Sequence, residues 1–299
     1  MSGGRRCCMP SSASPQAAEP QAGGQRSRAS APDGLQMIPL PGGEFLMGTA
    51  PGEGFAEDRE SPPHRERVAP FAIAATLVTN RAFAAFVRDT LYVTEAERAG
   101  GSQVFYLQLP PAQRVTVRRV APGLPWWVPV PYACWQRPEG AGSHIHDRPD
   151  HPAVHLSWHD AQAYCDWAGV RLPSEAEWEF AARGGLAGAR YAWGDTLEPD
   201  GRPMCNIWQG RFPDSPAPGW QPAPSAVRTH PPNGYGLYDV AGNVWEWCAD
   251  WFDESRRSTR GGSFLCHESY CNRYRVGARS GNTPHSSASN CGFRIAADL

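Results

Sequence analysis

Hydrophobic and polar positions change over in short bursts along this chain, and only a few windows hold a sustained period. Residues 37–48 (MIPLPGGEFLMG) predict a strand, a turn and a second strand, and Val68 to Ile73 predicts another. Behind Thr79, a plausible N-cap, Phe83, Phe86 and Val87 fall at the i, i+3, i+4 spacing of one helix face. His155 to Ala168 predicts a second helix, with Ser157 as N-cap, Asp160 three residues on and Gly169 at the C-terminal turn. A third opens with the Ser174/Glu177 capping box, puts Trp178 and Ala181 on one face and stops at Gly184-Gly185. Its Glu175, Glu177 and Glu179 read as a solvated face.

Residues 100–150 show no sustained period, yet hold Trp126, Trp127 and Trp135 among many prolines. That aromatic content predicts an ordered, irregular segment facing a substrate, or tryptophans that plug a core. From residue 191 on, short strands and turns are expected, with turn signals at Asn233-Gly234 and Gly242-Asn243 before a Trp-x-Trp strand.

Composition sharpens this. The 299 residues include 31 Gly, 30 Pro and 12 Trp, so the expectation is a loop-rich domain with short regular elements and aromatic filling. A net charge of -2 gives no reason to expect nucleic acid or an anionic membrane as partner, and no apolar run of about 18 residues predicts a span. Residues 1–34 read as a disordered leader without the apolar core of a signal peptide, and 35–299 as the folded domain. Nine cysteines without an export signal predict mostly free thiols in a reducing, cytoplasmic setting.

Two clusters carry candidate chemistry. Cys266 and Cys271 are close enough for a soft-metal site or a small disulfide, or are two unrelated buried thiols. Asp239, Asn243 and Glu246 put hard oxygens in one tight loop, as for Ca²⁺ or as an Asx-type turn.

Taken together, the motifs resemble the formylglycine-generating enzymes, or sulfatase-modifying factors, over about residues 37–298. The blocks that carry the likeness include Gly43-Glu-Phe-Leu-Met-Gly48, Arg171-Leu-Pro-Ser-Glu-Ala-Glu-Trp178, Asn206-Ile-Trp-Gln-Gly210, Gly242-Asn-Val-Trp-Glu-Trp247, Arg260-Gly-Gly-Ser263 and Asn282-Thr-Pro. Many recur across the superfamily; the cysteine pair marks the active branch, because a similar paralogue type lacks it.

The resemblance implies a single α+β domain, a variant C-type lectin-like fold with little regular secondary structure. It implies an O₂-dependent oxidase that converts a cysteine in the Cys-x-Pro-x-Arg motif of sulfatases to Cα-formylglycine, with Cu(I) held by Cys266 and Cys271. Ser263, Tyr270 and Trp245 match catalytic positions, and Trp126, Pro129 and Ser102 match the client groove. Arg273 and Arg275 are candidate neighbours of the thiolates, and His267 a candidate support. Ca²⁺ is expected at Asp239, Val240, Gly242, Val244 and Glu246, and at Asn206 and Ile207. A sulfatase polypeptide is the expected partner, and a monomer the expected state.

Three departures stand out. Gly101 lies where relatives can carry an acid for the motif arginine. Pro218-Gly219-Trp220 lacks the Asp of one Ca²⁺ turn. Cys165 matches one of the paired cysteines of secreted relatives, but the partner positions hold Ala181, Val276 and Ile295, so the resemblance implies that those disulfides cannot form. The rivals are a non-catalytic binding module on the same fold, an iron-dependent sulfoxide synthase, for which the region before residue 37 is too short, and a zinc or disulfide staple at the two cysteines.

Overall fold

A computed structural model of the chain describes residues 9–11, 34–114 and 124–299. Most of the expected leader lies outside the described residues. In chain order the strands and helices are β1 (Met37–Leu40), β2 (Gly43–Met47), β3 (His64–Val68), β4 (Phe71–Ala74), α1 (Asn80–Thr90), α2 (Glu95–Arg98), β5 (Gly101–Phe105), α3 (Pro111–Arg114) and β6 (Trp127–Pro131). Then come α4 (Trp158–Ala168), α5 (Glu175–Arg183), β7 (Gly210–Arg211), β8 (Ser215–Pro216), β9 (Trp245–Trp251), β10 (Arg257–Arg260), β11 (Arg279–Asn282), β12 (Cys291–Gly292) and β13 (Ala296–Asp298). Among the described residues no helix is long and apolar enough to cross a membrane.

The expected strand–turn–strand at residues 37–48 forms, but its two strands do not pair with each other. β1 pairs with β4, which also takes β13, and β2 pairs with β3. The single strand expected over Val68 to Ile73 is two: the chain turns at Ala69-Pro70, because proline has no N–H to give a ladder. The largest sheet runs β11-β10-β9-β12, antiparallel except for the parallel β12–β9 pair. β9 lies inside it, so Trp245, Glu246, Trp247 and Cys248 are all fully buried.

The helices follow their caps. Thr79 Oγ1 accepts from Ala82 N, and α1 buries Phe83 and Phe86. Ser157 and Asp160 form a complete capping box, so α4 begins at Trp158 rather than His155, whose φ of 61° is not helical. Ser174 and Glu177 form the same box on α5. Residues 100–150, expected to be irregular, contain the β5–β6 hairpin, in register from Gly101↔Pro131 to Phe105↔Trp127. The missing alternation has a simple cause: Val104, Phe105, Trp127 and Val128 are all buried.

The acidic face expected on α5 is a correction. Glu179 is 0% exposed, its Oε1 accepts from Arg183 Nη2 at 2.6 Å, and its other oxygen meets the buried Arg260. Glu175 is also buried, with Arg279 Nη2 at 2.8 Å. Only Glu177 is partly open, held by Arg171 and by its own cap. These acids face inward because the sheet opposite supplies guanidinium groups. A desolvated carboxylate is tolerated only with such partners.

Glu179→Ala leaves Arg260 and Arg183 buried without their anion and is expected to cost about 3–5 kcal/mol in urea unfolding. Breaking the exposed Arg65–Glu44 pair, with side chains 85% and 61% accessible, should cost under about 1 kcal/mol.

Candidate functional site

Both cysteines lie on the loop of residues 261–278, whose ends are pinned by the Arg260↔Arg279 strand pair. A long loop on a rigid base is a common position for chemistry. Gly262 takes a φ of +74°, and a Cβ there would lie 2.9 Å from the Arg273 carbonyl oxygen, so glycine lets the two limbs of the loop close. Two turns follow. Cys266 N donates to Ser263 O at 2.9 Å, and Cys271 N donates to His267 O at 2.7 Å. They bring the thiols to 3.4 Å between Sγ atoms, both 0% exposed and neither in a disulfide. A disulfide would need about 2.05 Å.

The sulfurs are surrounded by donors. Ser263 N donates to Cys266 Sγ at 3.4 Å, and Arg273 Nη1 to Cys271 Sγ at 3.5 Å. Positive charge and N–H donors favour a thiolate. Arg273 is itself fixed: its Nε donates to Asp58 Oδ2 at 2.5 Å, and its guanidinium lies 4.0 Å from the Phe55 ring centre. Burial pushes the Asp58 carboxyl up to about 6, outweighing the pull of Arg273. Arg275, the other expected neighbour, is not at the thiols. It grips Glu60 through both oxygens, at 2.9 and 2.8 Å. His267 turns its Nδ1 to Ser269 Oγ, 2.8 Å away in its own turn.

Ser263 Oγ accepts from Asn290 Nδ2 at 3.0 Å and from Leu265 N at 3.3 Å. With both lone pairs engaged, its hydroxyl acts as a donor. Tyr270 is held by rings: Phe212 stacks on it at 5.2 Å and Trp126 meets it edge-on at 5.1 Å. Trp245 is fully buried on β9, its backbone N–H donating to Asn290 O at 2.8 Å. Ser102 is buried, with its Oγ 2.8 Å from Ser287 Oγ, and Pro129 is exposed on the outer side of the hairpin. The structure therefore gathers Ser263, Cys266, Cys271, Tyr270 and Trp126 at one place, with Ser102 joined through the segment that ends in Asn290. Asn290, Ser287 and Asp58 were missed from sequence. Only contacts across the fold reveal them, since each lies in a stretch without periodicity.

Two soft sulfurs with no hard oxygen between them suit a soft ion such as Cu(I). Among the described residues no His, Cys, Asp or Glu completes the larger donor set that structural zinc takes. The residues present therefore fit copper.

The two halves of the expected calcium set also stand together. Asn206 and Gly242 form a parallel bridge, and Asn243 N donates to Asn206 O at 2.7 Å. Burial pushes the Asp239 carboxyl up to about 6, outweighing the Arg228 backbone N–H that donates to its Oδ2 at 3.0 Å and the more distant charge of Arg294. Glu246 differs: Arg294 takes both of its oxygens, with Trp178 Nε1 at 2.7 Å on one of them. Asp239 is thus the carboxylate that fits a hard cation. The Pro218-Gly219-Trp220 turn forms without a carboxylate, Trp220 packing edge-on to Trp208.

Two surface clefts, of about 560 and 880 Å³, lie elsewhere, and neither is lined by the thiols.

The family model for the sulfatase-modifying factor enzyme 1-like domain matches residues 24–299. The chain is 55% identical over 280 residues to the formylglycine-generating enzyme of Streptomyces coelicolor, covering 88% of this chain and 89% of that protein. It is 54% identical over 284 residues to that of Thermomonospora curvata, covering 88% and 93%. It is also 47% identical over 268 residues to a Mus musculus protein named inactive C-alpha-formylglycine-generating enzyme 2, covering 87% and 85%. Among solved structures, PvdO from Pseudomonas aeruginosa superposes with a TM-score of 0.63 at 25% identity, covering 91% of this chain and all of that one.

At Gly101 a Cβ would lie 2.4 Å from the Val130 carbonyl oxygen across the hairpin. Gly101→Asp, which would restore an acid at this position, is expected to lower stability by about 1–3 kcal/mol through backbone displacement. Thermal unfolding checks it.

Proposed function

Because the chain belongs to the sulfatase-modifying factor enzyme 1-like family, we propose that it is a formylglycine-generating oxidase. Its client is a sulfatase-type polypeptide carrying Cys-x-Pro-x-Arg, and it uses O₂ and Cu(I) held by Cys266 and Cys271. The observation that carries this reading is the buried Cys266–Cys271 pair, with sulfurs 3.4 Å apart and not joined in a disulfide. Kinship alone does not carry it, since a relative named inactive is 47% identical.

Bound copper would supply the one-electron reactivity toward dioxygen that side chains lack. The protein's residues do the rest. Cys266 and Cys271 bind as thiolates, stabilised by the Ser263 N–H and by Arg273. Asp58 and Phe55 keep Arg273 in place. The Ser263 hydroxyl donates toward the client sulfur or the incoming oxygen. Tyr270, fixed between Phe212 and Trp126, offers a second hydroxyl at a set position. Trp245 closes the buried side against water, which protects reactive species.

The client lies extended along Trp126, Pro129 and Ser102, held by main-chain hydrogen bonds and a few side-chain pockets. Ca²⁺ at Asp239, with carbonyls of its loop and of Asn206, would have a structural role, balancing a buried carboxylate in the segment that leads into β9 and Trp245. None of the seven described cysteines is in a disulfide, which supports a reducing, cytoplasmic setting.

The test is mass spectrometry of a Cys-x-Pro-x-Arg peptide incubated in air with Cu(I)-loaded protein and a thiol reductant. The peptide cysteine should lose one sulfur and two hydrogens and gain one oxygen. Cys266→Ser and Cys271→Ser should each lower the rate at least about a thousandfold, since a soft ligand is lost outright. Unchanged conversion by either variant would favour the binding module.

A further inference from the structure

The thiol pair is completely buried, although the proposed reaction requires a client cysteine to reach it. A buried N-terminal segment of the chain lies against the residues that follow the thiol loop. Met9 is 5% exposed and belongs to the same apolar cluster as Cys266, Cys271 and Trp126. Pro10 is buried beside it. Asn282 then reads this segment as it would an extended peptide. Its Nδ2 donates to Pro10 O at 2.9 Å, and its Oδ1 accepts from Ser11 Oγ at 2.6 Å. One amide thus satisfies a main-chain carbonyl and a side chain, the usual economy of extended-peptide recognition.

Asn282 is continuous with the groove. Thr283 N donates back to Asn282 Oδ1, Thr283 Oγ1 lies 2.6 Å from Ser286 Oγ, and Ser287 meets Ser102. The sequence adds a second, independent observation. Residues 8–12 read Cys8-Met9-Pro10-Ser11-Ser12. This repeats the Cys-x-Pro-x spacing of the client motif, with serine where the client carries arginine.

We propose that Met9-Pro10-Ser11 occupies the client groove in cis, as a built-in competitor that a sulfatase polypeptide must displace. The proposal rests on the client reading above. A segment tethered to its own site acts at an effective concentration on the order of millimolar, so it competes without tight contacts. The missing arginine makes it a weaker ligand than a true client. An arginine-bearing polypeptide can therefore replace it, while weaker cysteine peptides are kept from the thiols.

The test compares the full-length wild type with the full-length Met9→Asp/Pro10→Gly variant, which places a charge and a flexible residue at the two buried positions. Two readouts are taken. First, the KM for a Cys-x-Pro-x-Arg peptide should fall roughly tenfold in the variant while kcat holds, as expected when an intramolecular competitor is removed. A synthetic peptide of residues 5–14 should then inhibit the variant competitively. Second, alkylation of Cys266 and Cys271 by iodoacetamide, read by peptide mapping of metal-free reduced protein, should speed up by a similar factor. Alkylation needs no turnover, so it decides the matter even if neither protein converts the client, an outcome that would defeat the oxidase reading alone. Equal alkylation rates, or an unchanged KM with no inhibition by the peptide, would overturn the cis occupant.

Discussion

A buried guanidinium has to be paired, and Arg273 meets that need with groups from two distant loops. One is the carboxylate of Asp58, brought in from the loop after β2; the other is the sulfur of Cys271. Removing a guanidinium from water without compensation is costly, so this one requirement fixes the 55–60 loop against the thiol loop. The same device recurs around it. Arg275 holds Glu60, Arg260 and Arg183 hold Glu179, and Arg294 holds Glu246, all at exposures of 6% or less. In a chain with short strands and many turns, these clamps do work that longer ladders do in regular folds. Such pairs add less net stability than their number implies, but they specify which loops meet.

The site inherits its order from this framework. β9 and β10 set the base of the thiol loop, Gly262 lets its limbs close, and Arg273 presses it against the N-terminal half. The sulfurs then sit 3.4 Å apart without a disulfide between them, a separation that the two turns of the loop set. The aromatic group of Trp126, Phe212 and Tyr270 fixes the opposite wall by edge-on and stacked contacts, which hold rings in place at small entropic cost.

Much of this is legible in the chain before any coordinates. The helix starts at Thr79, Ser157 and Ser174 are legible because a cap is a local event, complete within four residues. The cysteine pair and the serine before it are legible through a family likeness. Other features are not local. The inward turn of Glu179 depends on Arg260, far along the chain, and nothing in the helix itself distinguishes it from a solvated acid. The β5–β6 hairpin escapes a period-two reading because both faces are covered. Gly101 reads as a lost acid, whereas the close approach of Val130 shows a backbone requirement. Arg273 and Arg275 look equivalent in sequence, and only the position of Asp58 and Glu60 separates the one at the sulfur from the one that is purely a clamp.

The central claim is that Cys266 and Cys271 together grip one Cu(I). Anaerobic titration of the reduced protein against a chromophoric Cu(I) chelator tests it most directly. The account predicts one equivalent withdrawn from the chelator by the wild type and none by Cys266→Ser or Cys271→Ser. Undiminished copper uptake by either variant, or none by the wild type, would contradict it.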